Sequence, residues 1–344
     1  MNRRIFLLLS IVSLIFVYFL IARTRKSPVD NIQCYHHRSD SLPDVSDLNP
    51  PKGKSIFFHE TSCNSDLNGK IVITSRQACA VESAARTHPN YEVYLLYVSP
   101  GIFKFEGTES DTLLQTLISY KNVKIGHLDF ERYVKDTPVE DLYKGGKIDK
   151  SKYPQSHASD VLRYLTLWKY GGIYADLDVI VIKSLEELAP NYSGAQSDSL
   201  VAAGVMSFAP TGAGHKLATL ALKDLRDNFN GENWANNGPG VITRLSKKLC
   251  ASEDVGSLVG QTCTGGFKVY PSKTFYPVPW EKWEMYFNHS QSAIVENLAS
   301  DSYVVHFWNN LSAKTKMSVR EEVPYSAFAK KYCPKVYSEC SKFF

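Results

Sequence analysis

Short apolar runs alternate with amphipathic stretches over most of this chain. Residues 55–58, 91–98 and 123–128 are rich in β-branched and aromatic residues and have the length of buried strands. Between them, residues 76–87 and 111–120 are predicted to be helices. This alternation is typical of α/β proteins in which helices cover both faces of a mostly parallel sheet.

A longer helix is predicted over residues 155–170. Its apolar residues recur at i, i+3, i+4 and i+7, so one face is expected to pack on the sheet. Asp160 and Arg163 lie on a different face. There they form either an ordinary intrahelical ion pair or a pair of groups that contacts a polar ligand. Gly171 and Gly172 end this helix, because glycine takes the left-handed conformation at little cost.

The ten residues 171–180 carry the strongest chemical signal. A strand is predicted at 173–175, and Asp176 and Asp178 follow it one residue apart. A bare pair of this kind is also common in solvated turns, but here both acids lie in an apolar stretch, where unpaired carboxylates are costly to bury. Two such carboxylates can share a hard divalent cation, which prefers oxygen ligands and also binds phosphate oxygens. The pattern therefore predicts a metal and diphosphate site.

The remaining pattern and the composition fit one folded body. Strands are predicted at 179–182 and 200–208 and helices at 214–229 and 239–249, whereas 250–283 is irregular and aromatic. Hydrophobic residues make up 44% of the 344, enough for a globular core. Lys and Arg number 39 against 35 Asp and Glu, and no basic stripe with interleaved aromatics occurs, so nucleic acid is not a favoured partner.

The amino terminus has the pattern of a membrane anchor. Residues 5–22 are uncharged and mostly apolar, and at about 1.5 Å per residue they span about 27 Å, close to the hydrocarbon thickness. A cleaved signal peptide is the alternative, but no small-x-small cleavage site follows. We therefore predict a cytoplasmic tail at 1–4, a signal anchor at 5–22, a stem at 23–53 and a lumenal catalytic domain at 54–344.

Cysteines and glycosylation sequons also fit an oxidising lumen. Six of the seven cysteines form sequence-local couples, predicted as the disulfides Cys63–Cys79, Cys250–Cys263 and Cys333–Cys340. Buried free thiols are the alternative. Cys34 remains in the predicted stem, where it is either free or pairs with a second chain in a homodimer. Candidate N-glycosylation sites are Asn191, Asn288 and Asn310.

Several motifs of this chain, which occur in the same order as in the family, resemble glycosyltransferase family 32, the DXD-containing sugar transferases. The first set is Ser159-Asp160 with Arg163, Gly171-Gly172-Ile173-Tyr174, and Asp176 with Asp178. Further segments resemble the branch that contains lactosylceramide 4-alpha-galactosyltransferase and alpha-1,4-N-acetylhexosaminyltransferases. They are Glu60-Thr61-Ser62, residues 81–89, Asn237-Gly238-Pro239, residues 275–283, and Val305-His306 with Trp308-Asn309. The resemblance covers about residues 54–335.

The resemblance implies a GT-A fold, a UDP-sugar donor, Mn²⁺, a Golgi membrane setting and transfer with retention to a glycolipid. The donor is either UDP-galactose or UDP-N-acetylgalactosamine. Asp176 and Asp178 are expected to act in catalysis, holding ribose and metal. The donor sugar is assigned to Asp160, Arg163, Asn237, Gly238 and Pro239. The nucleotide is assigned to Glu60, Tyr174, Asp176, Trp308 and Asn309.

Aromatic and histidine residues near the motifs have two interpretations each. Trp280 and Trp283 are either acceptor-sugar contacts or packing residues of a proline-rich segment. His306 is either a further acceptor contact or a buried core histidine. His59 and Glu60 end the first predicted strand, where ligands of open sheets bind.

Two other functions fit the acid pair. One is a phosphatase of the haloacid dehalogenase type, in which the first Asp of such a pair is the nucleophile. The sequence lacks a convincing downstream Lys for it. The other is a membrane-anchored glycan-binding protein without turnover. A glycoprotein glycan is the alternative acceptor.

Overall fold

The computed structural model of this protein describes residues 31–344. The predicted anchor, residues 5–22, lies outside this range. Within residues 31–344, none of the helices combines the length and apolar character that a bilayer crossing requires. The described chain from Ile32 to Phe344 folds as one compact unit.

An eight-stranded mixed sheet forms the centre of this unit, with strand order β3-β2-β1-β4-β7-β6-β9-β8. Four of its seven strand pairings are parallel, in agreement with the prediction. A separate antiparallel pair joins β5 to β10. The strands are β1 Ser55–Glu60, β2 Glu92–Tyr97, β3 Val123–His127, β4 Gly172–Ala175, β5 Val179–Val181, β6 Asn191–Ala195, β7 Val201–Phe208, β8 Thr262–Cys263, β9 Phe267–Tyr270 and β10 Val304–His306.

Helices flank both faces of the sheet, and the longer ones lie within about two residues of their predicted bounds. The helices are α1 Val45–Leu48, α2 Asn64–Asn68, α3 Ser75–Thr87, α4 Glu109–Ile118, α5 Phe130–Val134, α6 Glu140–Lys144, α7 Pro154–Tyr170, α8 Gly212–Asp227, α9 Pro239–Cys250, α10 Val255–Leu258, α11 Ser292–Leu298, α12 Asn309–Ser312, α13 Pro324–Tyr332 and α14 Pro334–Glu339. The aromatic segment 250–283, predicted to be irregular, contains the short strands β8 and β9.

Local chemistry explains where the helix before the acidic motif begins and ends. Pro154 occupies the first turn of α7, where its missing N–H costs nothing. Gly171 and Gly172 follow with φ of 63° and 86°. A Cβ on Gly172 would lie 2.4 Å from the carbonyl oxygen of Ser55. Only glycine therefore lets β4 pair directly with β1 at this point.

The alternation of side chains along β1 divides the core between the two faces of the sheet. Ile56 and Phe58 pack in one apolar cluster with helix α3, whereas Phe57 packs in the other with α7. Strands β2 and β4 lie on opposite sides of β1, so the direction in which strands are added to the sheet changes at β1. Ligands of open α/β sheets bind at such a reversal, beyond the carboxyl ends of the strands.

The predicted stem, residues 23–53, is only partly described, and its second half belongs to the compact unit. Ile32, Tyr35, Leu42 and Val45 are buried in the cores. The unit therefore begins at Ile32 rather than at residue 54. The segment contains few large apolar residues, and this composition predicts a linker. Sequence alone does not show that these few residues pack into the cores.

Two of the three predicted disulfides are wrong. Cys63 pairs with Cys34, and Cys79 pairs with Cys333, 254 residues further along the chain. Cys340 is a buried free thiol. Only the Cys250–Cys263 pair is confirmed. Sequence proximity misleads here because the fold brings α3 and α13 together. Since Cys34 is used within the chain, its sulfur does not support the expected homodimer.

One predicted glycosylation site is also incompatible with the fold. Asn191 is 4% exposed and opens strand β6. Its amide oxygen accepts from the Ala209 N–H at 2.8 Å, and its amide nitrogen donates to the Gly265 carbonyl at 3.3 Å. A glycan on this nitrogen would disrupt both contacts. Asn288 and Asn310 are exposed.

Candidate active site

A cavity of about 640 Å³ opens at the carboxyl ends of β1 and β4. Its lining comes mainly from the end of β1, the first half of α7, the Asp176–Asp178 turn, β7, the loop before α9, the segment after β9 and the segment after β10. Its volume is that of a small-molecule site. The sequence-predicted residues in its wall are His59, Glu60, Asp160, Arg163, Tyr174, Asp176, Asp178, Pro239, Trp280, His306, Trp308 and Asn309.

Asp176, Asp178 and His306 converge in this cavity. Ligand atoms of all three lie within 4.8 Å of one another. His306 Nε2 lies 3.1 Å from Asp178 Oδ1 and 3.8 Å from Asp176 Oδ2. Strand β10 positions the histidine, since His306 pairs with Val179 of β5 immediately after the acidic turn. Two carboxylates and an imidazole are a donor set that suits a divalent transition metal such as Mn²⁺.

The segment after β10 holds Asp178 by its backbone. The N–H of Asn309 donates to Asp178 Oδ2 at 2.7 Å. Trp308 takes left-handed backbone angles there, φ 56° and ψ 53°, which is uncommon for a bulky residue. Its indole N–H donates to the Val278 carbonyl at 2.9 Å, and its backbone N–H donates to His306 Nδ1 at 3.2 Å. Trp308 and Asn309 therefore orient two members of the triad.

Arg163 connects helix α7 to the acidic turn. Its Nη2 lies 3.4 Å from Asp160 Oδ1 and its Nη1 lies 3.3 Å from Asp176 Oδ1. Nη1 also donates to the Ala203 carbonyl at 3.0 Å, and Nη2 donates to Ser159 Oγ at 3.1 Å. With these contacts the guanidinium is fixed in place. The same Asp176 oxygen, Oδ1, also accepts a hydrogen bond from the Tyr174 hydroxyl at 2.7 Å.

Two glycines permit the close approach of these acids to the backbone. A Cβ on Gly238 would lie 2.2 Å from Asp160 Oδ1, and a Cβ on Gly204 would lie 2.9 Å from Asp176 Oδ2. Neither glycine has a positive φ, so space rather than backbone conformation requires them. Gly238 therefore serves the predicted donor-sugar site through Asp160.

The acids in the cavity differ in their protonation. Burial raises the pKa of Asp160 to about 7, against the opposing charge of Arg163. Burial also raises the pKa of Asp178. For Asp176, however, Arg163 and His306 together outweigh burial and lower the pKa. Burial lowers the pKa of His306, but the two aspartates reverse this and raise it. A divalent cation would favour the ionised form of both aspartates.

The end of β1 presents two buried groups with unused hydrogen-bonding atoms. His59 Nδ1 and Glu60 Oε2 have no partner among the described residues. Burial and the charge of Arg163 lower the pKa of His59 to about 3, so its ring is neutral. Burial raises the pKa of Glu60 to about 7. Both side chains line the cavity and can therefore hydrogen bond to a polar ligand.

Three predicted contact residues, Asn237, Gly238 and Trp283, are not part of the cavity wall. Asn237 is fully buried, and its amide spans the loop before α9, donating to the Asn230 carbonyl at 2.8 Å and accepting from the Asn230 N–H at 3.0 Å. Trp283 packs against Phe287 in an edge-to-face contact, whereas Trp280 lines the cavity. Asn237 therefore stabilises its own loop, and Trp283 packs within its own segment.

Sequence reasoning missed several residues that shape this site. Arg76, at the start of α3, is buried and donates from Nη1 to the Ser312 carbonyl at 3.0 Å. Its other terminal nitrogen donates to the Thr315 carbonyl, so Arg76 holds the segment that carries Asn309. Trp234 and Leu311 line the cavity. Of these residues, only Trp234 had a signal in the sequence, because it is a lone tryptophan in the polar stretch 228–238.

Comparison with known proteins agrees with this site. Residues 74–195 match the "Glycosyltransferase sugar-binding region containing DXD motif". Residues 210–340 match the "Alpha 1,4-glycosyltransferase conserved region". The fold and site thus define a DXD-containing glycosyltransferase.

Similar proteins define more closely which kind of glycosyltransferase this chain is. Lactosylceramide 4-alpha-galactosyltransferase of Homo sapiens is 33% identical over 83% of this chain and 76% of its own length. Alpha-1,4-N-acetylglucosaminyltransferase of Homo sapiens is 26% identical over 77% of this chain and 76% of its own length. The glycosyltransferase GlyE of Streptococcus pneumoniae aligns at a TM-score of only 0.41, with 13% identity over 84% of this chain and 62% of that chain. This chain belongs to the alpha 1,4-glycosyltransferase family, which leaves no basis for the phosphatase alternative.

Proposed function

We propose that this protein is a retaining, metal-dependent glycosyltransferase. It moves galactose or N-acetylgalactosamine from a UDP-sugar, in alpha-1,4 linkage, to a terminal sugar of a glycolipid. The observation that carries this proposal is the convergence of Asp176, Asp178 and His306 at the end of β4, within 4.8 Å of one another. The names of both relatives support the linkage, and the name of the lactosylceramide 4-alpha-galactosyltransferase supports the lipid-linked acceptor.

The donor set fits a resident Mn²⁺ ion. Asp176, Asp178 and His306 would hold it, because hard carboxylate oxygens with one imidazole suit this metal. Bound there, the ion would neutralise the charge that develops on the departing diphosphate. The backbone N–H of Asn309 and the hydroxyl of Tyr174 hold the two carboxylates from outside the triad, so the ligands are oriented in advance.

Asp160 is the group best placed to contact the donor sugar. It faces the cavity from α7, and Arg163 links it to Asp176. A carboxylate accepts hydrogen bonds from sugar hydroxyls, whereas the contacts of Arg163 are mainly to protein oxygens. Arg163 thus sets the distance between the sugar site and the metal site. It also keeps a positive charge beside the site where the leaving group departs.

Retention of configuration is proposed to follow same-face attack. The cavity carries four carboxylates, Glu60, Asp160, Asp176 and Asp178. Asp176 and Asp178 serve the cation, Asp160 pairs with Arg163, and Glu60 ends β1 beyond them. With these roles, none is assigned as a covalent nucleophile. The acceptor hydroxyl would instead approach on the side of the leaving phosphate and pass its proton to a phosphate oxygen.

The proposed setting is the Golgi membrane, with residues 5–22 as a type II anchor and the catalytic domain in the lumen. The disulfides support an oxidising compartment. A membrane anchor suits an acceptor that is itself held in the bilayer, such as a glycolipid. A glycoprotein glycan remains the second candidate acceptor.

One assay tests the proposal. The full chain in detergent is incubated with UDP-galactose, UDP-N-acetylgalactosamine or UDP-glucose, with Mn²⁺ and lactosylceramide, and UDP release and product are followed. We expect transfer from one of the first two donors, loss of transfer with a chelator, and an alpha-1,4 bond in the product. Absence of any UDP affinity with Mn²⁺ supplied would contradict the proposal. Binding of glycolipid without UDP release would instead favour the non-catalytic alternative.

A further inference from the structure

The mouth of the cavity carries an unusual set of exposed apolar side chains. Trp234, Trp280 and Leu311 are 44%, 43% and 41% exposed, and all three line the cavity. They come from three separate parts of the chain, the loop before α9, the segment after β9, and α12. Exposed large apolar groups gathered at one opening mark a binding surface rather than scattered surface residues.

The two tryptophans stand on segments that polar contacts hold in place. The amide of Asn237 closes the Trp234 loop through Asn230. The indole of Trp308 donates to the Val278 carbonyl and so fixes the turn before Trp280. Held this way, the rim lies in a defined position before a ligand arrives, which lowers the entropic cost of binding.

The chemistry of the rim matches carbohydrate. A pyranose ring has an apolar C–H face that packs on an indole, and hydroxyl groups around its edge. The neighbouring wall supplies uncharged polar groups for such hydroxyls, from Ser156, Ser159 and Gln196. A few polar groups among apolar and aromatic ones are the usual lining of a specific small-molecule site.

From this arrangement we infer that Trp234 and Trp280 stack on the terminal sugars of the acceptor and that Leu311 packs against them. The inference rests on the proposed function and adds the residues that select the acceptor. Asp176, Asp178 and His306 line the same cavity and are less exposed than the rim, so a sugar on the rim would present a hydroxyl toward them. The lipid part of the acceptor has no assigned contact in this arrangement.

The test compares Trp234→Ala and Trp280→Ala with the unsubstituted full chain in detergent. Hydrolysis of the UDP-sugar without acceptor is measured first, and then the KM for lactosylceramide and for free lactose. We expect each variant to raise both acceptor KM values about tenfold, the effect of losing one well-packed aromatic contact. Donor hydrolysis should stay within about twofold, because the rim does not touch the metal site. Trp280→Phe should recover most of the loss.

Phe105→Ala is the matched control, since Phe105 is equally exposed but lies outside the cavity wall. It should change neither KM. A KM effect confined to lactosylceramide would show that the rim binds lipid, and a loss of donor hydrolysis would show that it binds the donor. Either result overturns the inference, as do unchanged KM values in an active enzyme. If the unsubstituted chain neither hydrolyses nor transfers any UDP-sugar, the proposed function itself fails.

Discussion

The backbone N–H of Asn309 donates to Asp178 Oδ2 at 2.7 Å, across 131 positions of sequence. This hydrogen bond joins the acidic turn after β4 to the segment after β10. On the other side of the same carboxylate, His306 Nε2 lies 3.1 Å from Oδ1. Both oxygens of Asp178 are thus oriented by one short stretch of chain. The site and the surrounding fold lead to five predictions.

Asp178→Asn should leave a folded protein with little activity. The amide replaces one carboxylate of the proposed cation site and removes its negative charge. We expect UDP-sugar turnover with Mn²⁺ to fall more than about a hundredfold, as when one strong electrostatic contact to the developing charge is lost. Asp301→Asn is the control, because that side chain is exposed and pairs with the exposed Lys273. Near-normal turnover of Asp178→Asn would count decisively against the metal site.

Gly238→Ala should impair the enzyme through Asp160. The new methyl group would stand 2.2 Å from Asp160 Oδ1, so the carboxylate must move away from its present position. We expect the donor KM or kcat to change by about tenfold, with a stability loss of about 1–3 kcal/mol from overpacking. Kinetics and thermal unfolding measure the two effects separately.

Gly256→Ala provides the matched glycine control. Its new Cβ would meet Asp254 at an ordinary distance of 3.5 Å, far from the cavity wall. It should leave the kinetics unchanged. If Gly238→Ala has normal kinetics, Asp160 does not need its present position.

Arg76→Met should weaken donor binding although Arg76 lies outside the cavity wall. The change removes the hydrogen bonds to the Ser312 and Thr315 carbonyls while keeping an apolar stem between Phe287 and Tyr325. The segment that carries Asn309 should then hold Asp178 less firmly. We expect the Kd for UDP with Mn²⁺ to rise about five- to tenfold, which corresponds to the net contribution of roughly one ordinary hydrogen bond.

The control for Arg76 is Arg86→Met. Arg86 also donates to backbone carbonyls, those of Lys331 and Tyr332, but it is exposed. Its replacement should leave UDP binding unchanged. Equal effects of the two variants would mean that Arg76 acts only on general stability.

Glu60→Gln should change how stability depends on pH. The pKa of Glu60 is raised to about 7 in the folded protein, from 4.5, chiefly by burial. Between these values the unfolded chain has lost the proton and the folded chain retains it, so stability falls as pH rises. The glutamine variant lacks this effect. It should gain stability relative to the parent from pH 4.5 to 7, by about 3 kcal/mol at most.

The measurement for Glu60 is the difference in unfolding temperature between the two proteins at several pH values. The difference should grow through this window and level off above about pH 7. A constant difference would show that Glu60 ionises normally in the folded protein, with enough solvent around its carboxylate.

N-glycans should be found on Asn288 and not on Asn191. The Asn288 side-chain oxygen accepts from the Ser290 N–H at 3.0 Å and the residue is exposed, whereas both amide atoms of Asn191 are used inside the fold. Mass spectrometry of glycopeptides from the secretory pathway measures the occupancy of each site. A high occupancy at Asn191 would contradict the placement of β6.

The sequence by itself determined most of the longer helices and strands and identified the acid pair. The period of the apolar residues set α3 and α7, and Gly171-Gly172 marked the end of α7 because only glycine takes that backbone conformation cheaply. Asp176 and Asp178 were evident because two carboxylates in an apolar stretch need a partner. These signals depend only on neighbouring residues, so they can be recognised without knowledge of the fold.

Tertiary structure alone decided which distant residues meet. The Cys79–Cys333 disulfide, the hold of Arg76 on the Ser312 carbonyl, and the place of His306 beside the acids all join parts of the chain more than 120 residues apart. Such contacts depend on strand order and on helix packing, for which the chain carries no local code. Asn237 supports a loop rather than facing the cavity because its amide bonds to Asn230, and this pairing depends on how the loop closes.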